Sequence, residues 1–141
     1  MRVDRGNIGY LLAKASQRWN ELLHEGFRAA GYPEVRPAYG SVLVPLFEED
    51  GLRMGELARR SRLAKQTMTT MVRLCERDGL VSRERDEGDG RAFRIYLTER
   101  ALGFRPVAGG VLADLEGRLT AVLPPAGLQT LKQSLKGVMD L

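Results

Sequence analysis

The sequence predicts a mainly α-helical fold carrying one small β-hairpin. Apolar residues recur at three- and four-residue steps over most of the 141 residues. The period changes only between Leu80 and Leu97, around the Gly-rich stretch Asp86-Glu87-Gly88-Asp89-Gly90. Turn-forming pairs such as Asp78-Gly79 and Pro124-Pro125 mark where periodic segments stop. The length suits a single domain spanning 1–141.

In order, the first helix is expected from Asp4 to Ala30, because Ile8, Leu11, Leu12, Ala15, Trp19, Leu22, Leu23 and Phe27 form one helical stripe. Asp4 or Asn7 is the candidate cap at its start, and Gly31 the left-handed stop at its end. Pro33 and Pro37 mark a turn, and Pro37 suits the first position of a second helix bearing Tyr39, Val42, Leu43, Leu46 and Phe47. Pro45 inside that helix predicts a kink, and Glu48 to Gly51 reads as a loop. A short helix follows from Met54 to Arg60, then the link Ser61-Arg62-Leu63 and a longer helix from Ala64 to Arg77. Leu80 to Arg85 and Ala92 to Leu97 are the two strands of the hairpin. Thr98 is placed to cap a long helical tract reaching Leu123, which Pro106 and Gly109-Gly110 should bend. Leu128, Leu131, Leu135 and Val138 define a final amphipathic helix.

Helix, helix, helix, helix, hairpin, helix, helix is the element order of a winged helix-turn-helix with helical flanks. The sequence therefore divides into a reading lobe at 37–98 and a helical lobe at 4–31 and 98–141. The flanking stripes carry more apolar surface than so small a reading lobe can cover, which points to packing against a second copy. At about 25 cal/mol per Å² of buried apolar surface, such an interface becomes the main stabiliser of a homodimer.

Composition narrows the function classes. Hydrophobic residues at 43% and charged residues at 28% give an ordinary globular balance, so disorder is not expected. No apolar run approaches a membrane span and the N-terminus has no apolar signal core, so a cytoplasmic protein without membrane contact is expected. Cys75 is the only cysteine and His24 the only histidine, which leaves no disulfide, Cys-rich metal site or redox pair. No acid/base pair, nucleophile with its base, or phosphate loop is present. An enzyme, a metal and a cofactor are accordingly not expected. The net charge is +4, and between Arg53 and Arg94 lie 11 Lys or Arg against 7 Asp or Glu, while the rest of the chain holds 11 of each. All the positive excess sits in one third of the sequence, as a polyanion-binding surface requires.

The helix Ala64 to Arg77 is built to enter a major groove, which is about 12 Å wide. Met68, Met71, Val72 and Cys75 share one apolar face, and Lys65, Gln66, Thr69, Thr70 and Arg73 fall opposite. Gln can pair bidentately with adenine, Arg and Lys with guanine, and a Thr methyl can meet that of thymine. Thr67, at the helix start, suits a phosphate. Past the glycine turn, Arg91 can reach a minor groove with Asp89 bracing its guanidinium, and Arg83, Arg85 and Arg94 stand along the strands as phosphate clamps. Double-stranded DNA is thus the expected partner.

The run Glu56 to Thr98 resembles the helix-turn-helix and wing of the MarR (multiple antibiotic resistance regulator) family. The echoes are Glu56-Leu57-Ala58, Lys65-Gln66-Thr67, Gly79-Leu80-Val81, and Asp86 through Asp89 with Arg91 to Leu97-Thr98. The resemblance implies a homodimer with interlocked terminal helices that binds a pseudo-palindromic operator, usually as a repressor. It also implies release by a small phenolic or lipophilic ligand, or by cysteine oxidation. On that basis Trp19, Tyr39 and Phe47 are candidates to line an effector pocket, with core packing as the alternative. Cys75 is either a redox switch or a buried core thiol, and its apolar position favours the latter. His24 is expected at solvent or at an interface. The chain departs from the family pattern at Arg62, where Gly is common in the turn, at Glu87 and Gly90 in the wing, and at Pro45. Arg62 must take a positive φ or reshape the turn, and the wing tip should be more mobile. These departures motivate an alternative, a winged-helix protein-interaction module that no longer binds DNA.

Overall fold

The computed structural model describes residues 2–141 and contains the expected helices and hairpin in order. Helix α1 (Ile8–Ala29) starts at Asn7, whose side chain accepts the Gly9 amide at 3.2 Å. Asp4, the other candidate cap, accepts the Gly6 amide in a turn before the helix, so α1 begins four residues later than its polar flank suggested. Leu23 and Phe27 are buried, whereas Ile8 and Leu11 remain exposed.

Pro37 does start a helical segment, but the first turn is a 3₁₀ turn (Pro37–Tyr39) that leads into α2 (Gly40–Glu48). Helix α2 runs unbroken through Pro45. Proline removes the amide that would have bonded the carbonyl of residue 41. The Ser61 hydroxyl, arriving from the next helical pair, donates to that Ser41 carbonyl instead. The backbone group left over by Pro45 is thereby satisfied from outside the helix.

A short strand β1 (Leu52–Arg53) precedes α3 (Met54–Arg60) and α4 (Lys65–Arg77). Strands β2 (Val81–Asp86) and β3 (Asp89–Leu97) form the hairpin. The three strands make one antiparallel sheet in the order β1-β3-β2, with Leu52 opposite Ile95 and Val81 opposite Leu97. β1 was not expected, because two residues are too short to show a period of two. The hairpin strands extend further toward the tip than their apolar residues indicated, leaving only Glu87-Gly88 between them, and the pairing shifts at Arg85/Asp86.

Helix α5 (Glu99–Val122) is continuous through Pro106 and Gly109-Gly110, and α6 (Gly127–Met139) follows. Thr98 caps α5: its hydroxyl oxygen accepts the Ala101 amide at 3.3 Å and donates to the Gly79 carbonyl at 2.7 Å, while its amide bonds the Leu80 carbonyl at 3.1 Å. The chain thus leaves and re-enters the helical body at one point. α1 and α5 cross closely at Gly26, where an added Cβ would lie 2.6 Å from Val111 Cγ1, and Phe27 meets Phe104 edge to face at 4.8 Å. A single core joins α1, α2, α3, α4 and the sheet, with Val42, Leu57, Met68, Leu80 and Ile95 fully buried. By contrast α6 buries none of its side chains.

Candidate nucleic-acid interface

Helix α4 presents two unlike faces. Met68, Val72 and Cys75 are buried against the core and Met71 is half-buried. Lys65, Gln66, Thr67, Thr70 and Arg73 are exposed and Thr69 is half-buried, so the helix shows the predicted polar residues outward. The Thr69 hydroxyl donates to the Lys65 carbonyl at 2.9 Å and that of Thr70 to the Gln66 carbonyl at 3.2 Å. With those protons held on the helix, the threonines offer lone pairs and methyl groups to an incoming surface. Ala64 gives no side-chain cap and the first turn holds no acidic residue, which leaves the positive end of the helix dipole unopposed.

The end of α4 is anchored differently. Asp78 accepts the Tyr39 hydroxyl at 2.6 Å and pairs with Arg77. The Arg77 and Tyr39 bonds hold the Asp78 carboxyl below the usual carboxylate range, and burial followed by the Asp78 bond pushes the Tyr39 phenol up to about 12. Tyr39 is therefore a core residue with a satisfied polar tip.

The hairpin is organised by a carboxylate whose role sequence reasoning missed. Asp86 is buried, and its oxygens accept the Gly88 amide at 2.9 Å, Arg53 Nε at 2.8 Å and Arg94 Nε at 3.1 Å. The Gly88 amide, then Arg53, hold its carboxyl below the ordinary range. Arg94 also donates to the Gly51 carbonyl at 2.9 Å. Its guanidinium thus braces the sheet, with the side chain still 41% exposed. Arg53 and Asp86 lie 33 residues apart, and no local spacing could have joined them. Arg83 pairs with Glu76 at 3.2 Å and Arg85 reaches the Gly90 carbonyl at 3.3 Å, both flanking the exposed Phe93 ring. Arg91 is exposed at the tip. Asp89 accepts the Arg91 backbone amide at 3.1 Å, so it shapes the turn and does not brace the guanidinium as expected.

None of the three effector candidates lines the cavities beside His24, beside Gly26 and Val111, or beside Tyr10. Trp19 and Phe47 are partly buried against the common core, with the Arg105 guanidinium 5.5 Å from the Phe47 ring centre. A cavity of about 420 Å³ is lined instead by His24, Pro33, Glu34, Arg36, Pro37, Arg77 and Asp78. His24 Nδ1 is buried there with no hydrogen-bond partner among the described residues. No group of His, Cys, Asp and Glu suited to a metal occurs among them, and no helix is long and apolar enough to cross a membrane. Cys75 is buried, and desolvation pushes its thiol up to about 12.

The model of the MarR family matches residues 37–93, which run from the first turn before α2 to the middle of β3 and contain α4 whole. The matched segment is a MarR-family helix-turn-helix and wing. Among curated MarR-type relatives, the HTH-type transcriptional repressor YetL of Bacillus subtilis is 31% identical over 100 residues, covering 68% of this chain and 58% of the relative. The HTH-type transcriptional regulator TtmR of Methylorubrum extorquens is 38% identical over 64 residues, covering 45% of this chain and 33% of the relative. The chain thus spans less than two thirds of the length of these two relatives. Among solved structures, the PcaV transcriptional regulator of Streptomyces coelicolor, in complex with its natural ligand, superposes with a TM-score of 0.81 at 24% identity over 99% of this chain and 97% of that one. The repressor CouR, bound to a 23-mer DNA duplex, gives the same score and identity over 99% of each chain. The MarR winged-helix fold therefore extends beyond the matched segment to the flanking helices.

Proposed function

We propose that this chain is a DNA-binding transcriptional regulator that acts as a homodimer on a pseudo-palindromic duplex. The observation that carries the reading is the division of α4: Met68, Val72 and Cys75 are locked in the core, while Lys65, Gln66, Thr67, Thr70 and Arg73 stand outward beside a hairpin that carries Arg83, Arg85 and Arg91. Thr69 sits at the edge of that outward face. Phosphate contacts fall to Arg83 and Arg85 on the strands, and Arg91 is the group that reaches the minor groove. Asp89 contributes by shaping the turn that presents Arg91, and Arg94 by holding the sheet. Self-association is supported by apolar residues left bare on the terminal helices, including Ile8 at 68% and Val122 at 78% exposure. The names of its relatives, a repressor and a regulator with a natural ligand, support repression relieved by a small molecule. The candidate effector cleft is the cavity beside His24 and Arg36, which Tyr39 adjoins through its bond to Asp78, while Trp19 and Phe47 pack against the core.

A redox mechanism through Cys75 has the wrong electrostatics. A sensor cysteine needs an accessible, stabilised thiolate, and burial here favours the neutral thiol. The decisive experiment selects duplexes with the purified protein from a random pool, then titrates the preferred duplex in a gel shift. Gln66→Ala should lower the ratio between the preferred duplex and one altered at a single contacted base pair by roughly 5- to 100-fold, the range of one lost bidentate pair. If the wild type selects nothing, or binds with no dependence on salt, the chain is the protein-interaction module instead.

A further inference from the structure

Three helices of this chain end in the same hydrogen-bonded motif. The Tyr32 amide reaches the Phe27 carbonyl and the Gly31 amide that of Arg28; Leu80 and Gly79 repeat the pattern on Cys75 and Glu76; Leu63 and Arg62 repeat it on Ala58 and Arg59. The motif requires a left-handed residue just past the cap. Gly31 and Gly79 supply it with φ of 94° and 76°, but at the end of α3 the residue is Arg62, with φ of 53°. A side chain disfavours that conformation, so something must hold it there.

The Arg62 guanidinium shows what does. One amino group donates to the Met139 carbonyl at 2.5 Å and the other to the Asp140 carboxylate at 3.0 Å, across 77 and 78 residues of sequence. Met139 ends α6 and Asp140 is its cap, so the cation meets the unpaired carbonyl end of that helix. Helix α6 buries no side chain, and its one other ion pair, among the described residues, is Lys132 with Glu116 of α5. Arg62 is thus its tie to the reading lobe. The tie acts on a short lever, because only Leu63 and Ala64 separate Arg62 from the first residue of α4.

We propose that Arg62 is a positioning residue: it fastens the turn before the reading helix to the end of α6 and so sets how far apart two reading helices stand in a dimer. The positioning role rests on the DNA-binding, dimeric reading above; the tie itself does not. The test compares the full-length wild type with Arg62→Gly, which suits the left-handed turn and should fold, with Asp140→Ala, and with Arg62→Lys. In hydrogen exchange, amides in the last two turns of α6 should exchange at least threefold faster in Arg62→Gly and Asp140→Ala, with partial rescue in Arg62→Lys. In gel shifts the probe is the duplex selected by the wild type, with versions carrying one base pair more or fewer at the centre, and an isolated half-site. The spacing change should cost the wild type tenfold or more and Arg62→Gly threefold or less, at equal half-site affinity. Unchanged exchange in α6 overturns the tie. Faster exchange with unchanged spacing selectivity overturns the positioning role. If the wild type selects no duplex, the DNA reading falls and positioning with it, while exchange still decides the tie.

Discussion

Arg91 and Arg94 stand three residues apart on one strand and serve different ends. Arg94 is turned in on Asp86 and the Gly51 carbonyl, and Arg91 is exposed at the tip. Sequence alone treats both as basic residues on a hairpin, since what separates them is a carboxylate buried by tertiary contacts. The polar face of α4 was legible because it depends only on helical spacing, which fixes Met68, Val72 and Cys75 on one side. The same burial makes Cys75 a proton reservoir. Its folded thiol is raised to about 12, whereas an unfolded cysteine ionises near about 8.5. The folded state therefore keeps a proton that the unfolded state loses, and stability declines as pH rises through that interval. Tyr39, also raised to about 12, adds to the decline above the ordinary phenol range. Denaturant unfolding at pH 7 and pH 10.5 should show Cys75→Ala losing less stability on alkalinisation than the wild type; equal losses would remove the thiol as a cause. Iodoacetamide should leave the native thiol unmodified at pH 8.

Among the elements, α2 shows how a breaker is tolerated. Pro45 has no amide to offer the Ser41 carbonyl. A hydroxyl from the α3 cap supplies the partner, and the helix continues. No local pattern encodes that bond, which spans 20 residues. Ser61→Ala should destabilise the fold by about 1 kcal/mol, the usual net worth of one hydrogen bond, here part-buried. In a Pro45→Ala background, where a helical amide returns to Ser41, the same substitution should cost well under half as much. Equal costs in the two backgrounds, measured by urea unfolding, would show that Ser61 acts elsewhere. Element order and the positions of the long helices were readable from period and caps. The two-residue β1 was not, because its strand character exists only through pairing with Ile95 and Arg94.

For the whole molecule, the apolar excess that the sequence shows on its flanks becomes a concrete geometry. α1 buries only Leu23 and Phe27 of its stripe, and α6 buries nothing. Leu135, Val138 and Met139 therefore remain exposed along α6. Leu135→Glu should weaken self-association at least tenfold, about 1.4 kcal/mol, in sedimentation equilibrium. It should also lower affinity for a two-half-site duplex while sparing a single half-site. An unchanged sedimentation profile would place the interface on another face. Counting apolar residues along the flanks could not reveal where α6 meets the turn after α3. The contact of Arg62 with the end of α6 depends on a turn conformation that only the assembled backbone displays.

The junction at Thr98 has an evolutionary consequence. Because its amide meets Leu80 and its hydroxyl meets Gly79, the excursion through β2 and β3 begins and ends within one hydrogen bond of itself. A closed excursion can lengthen, shorten or exchange its tip without redirecting the chain on either side. The wing is in that sense a replaceable cassette plugged into a fixed socket, and selection can retune what it touches while the helices on either side stay as they are.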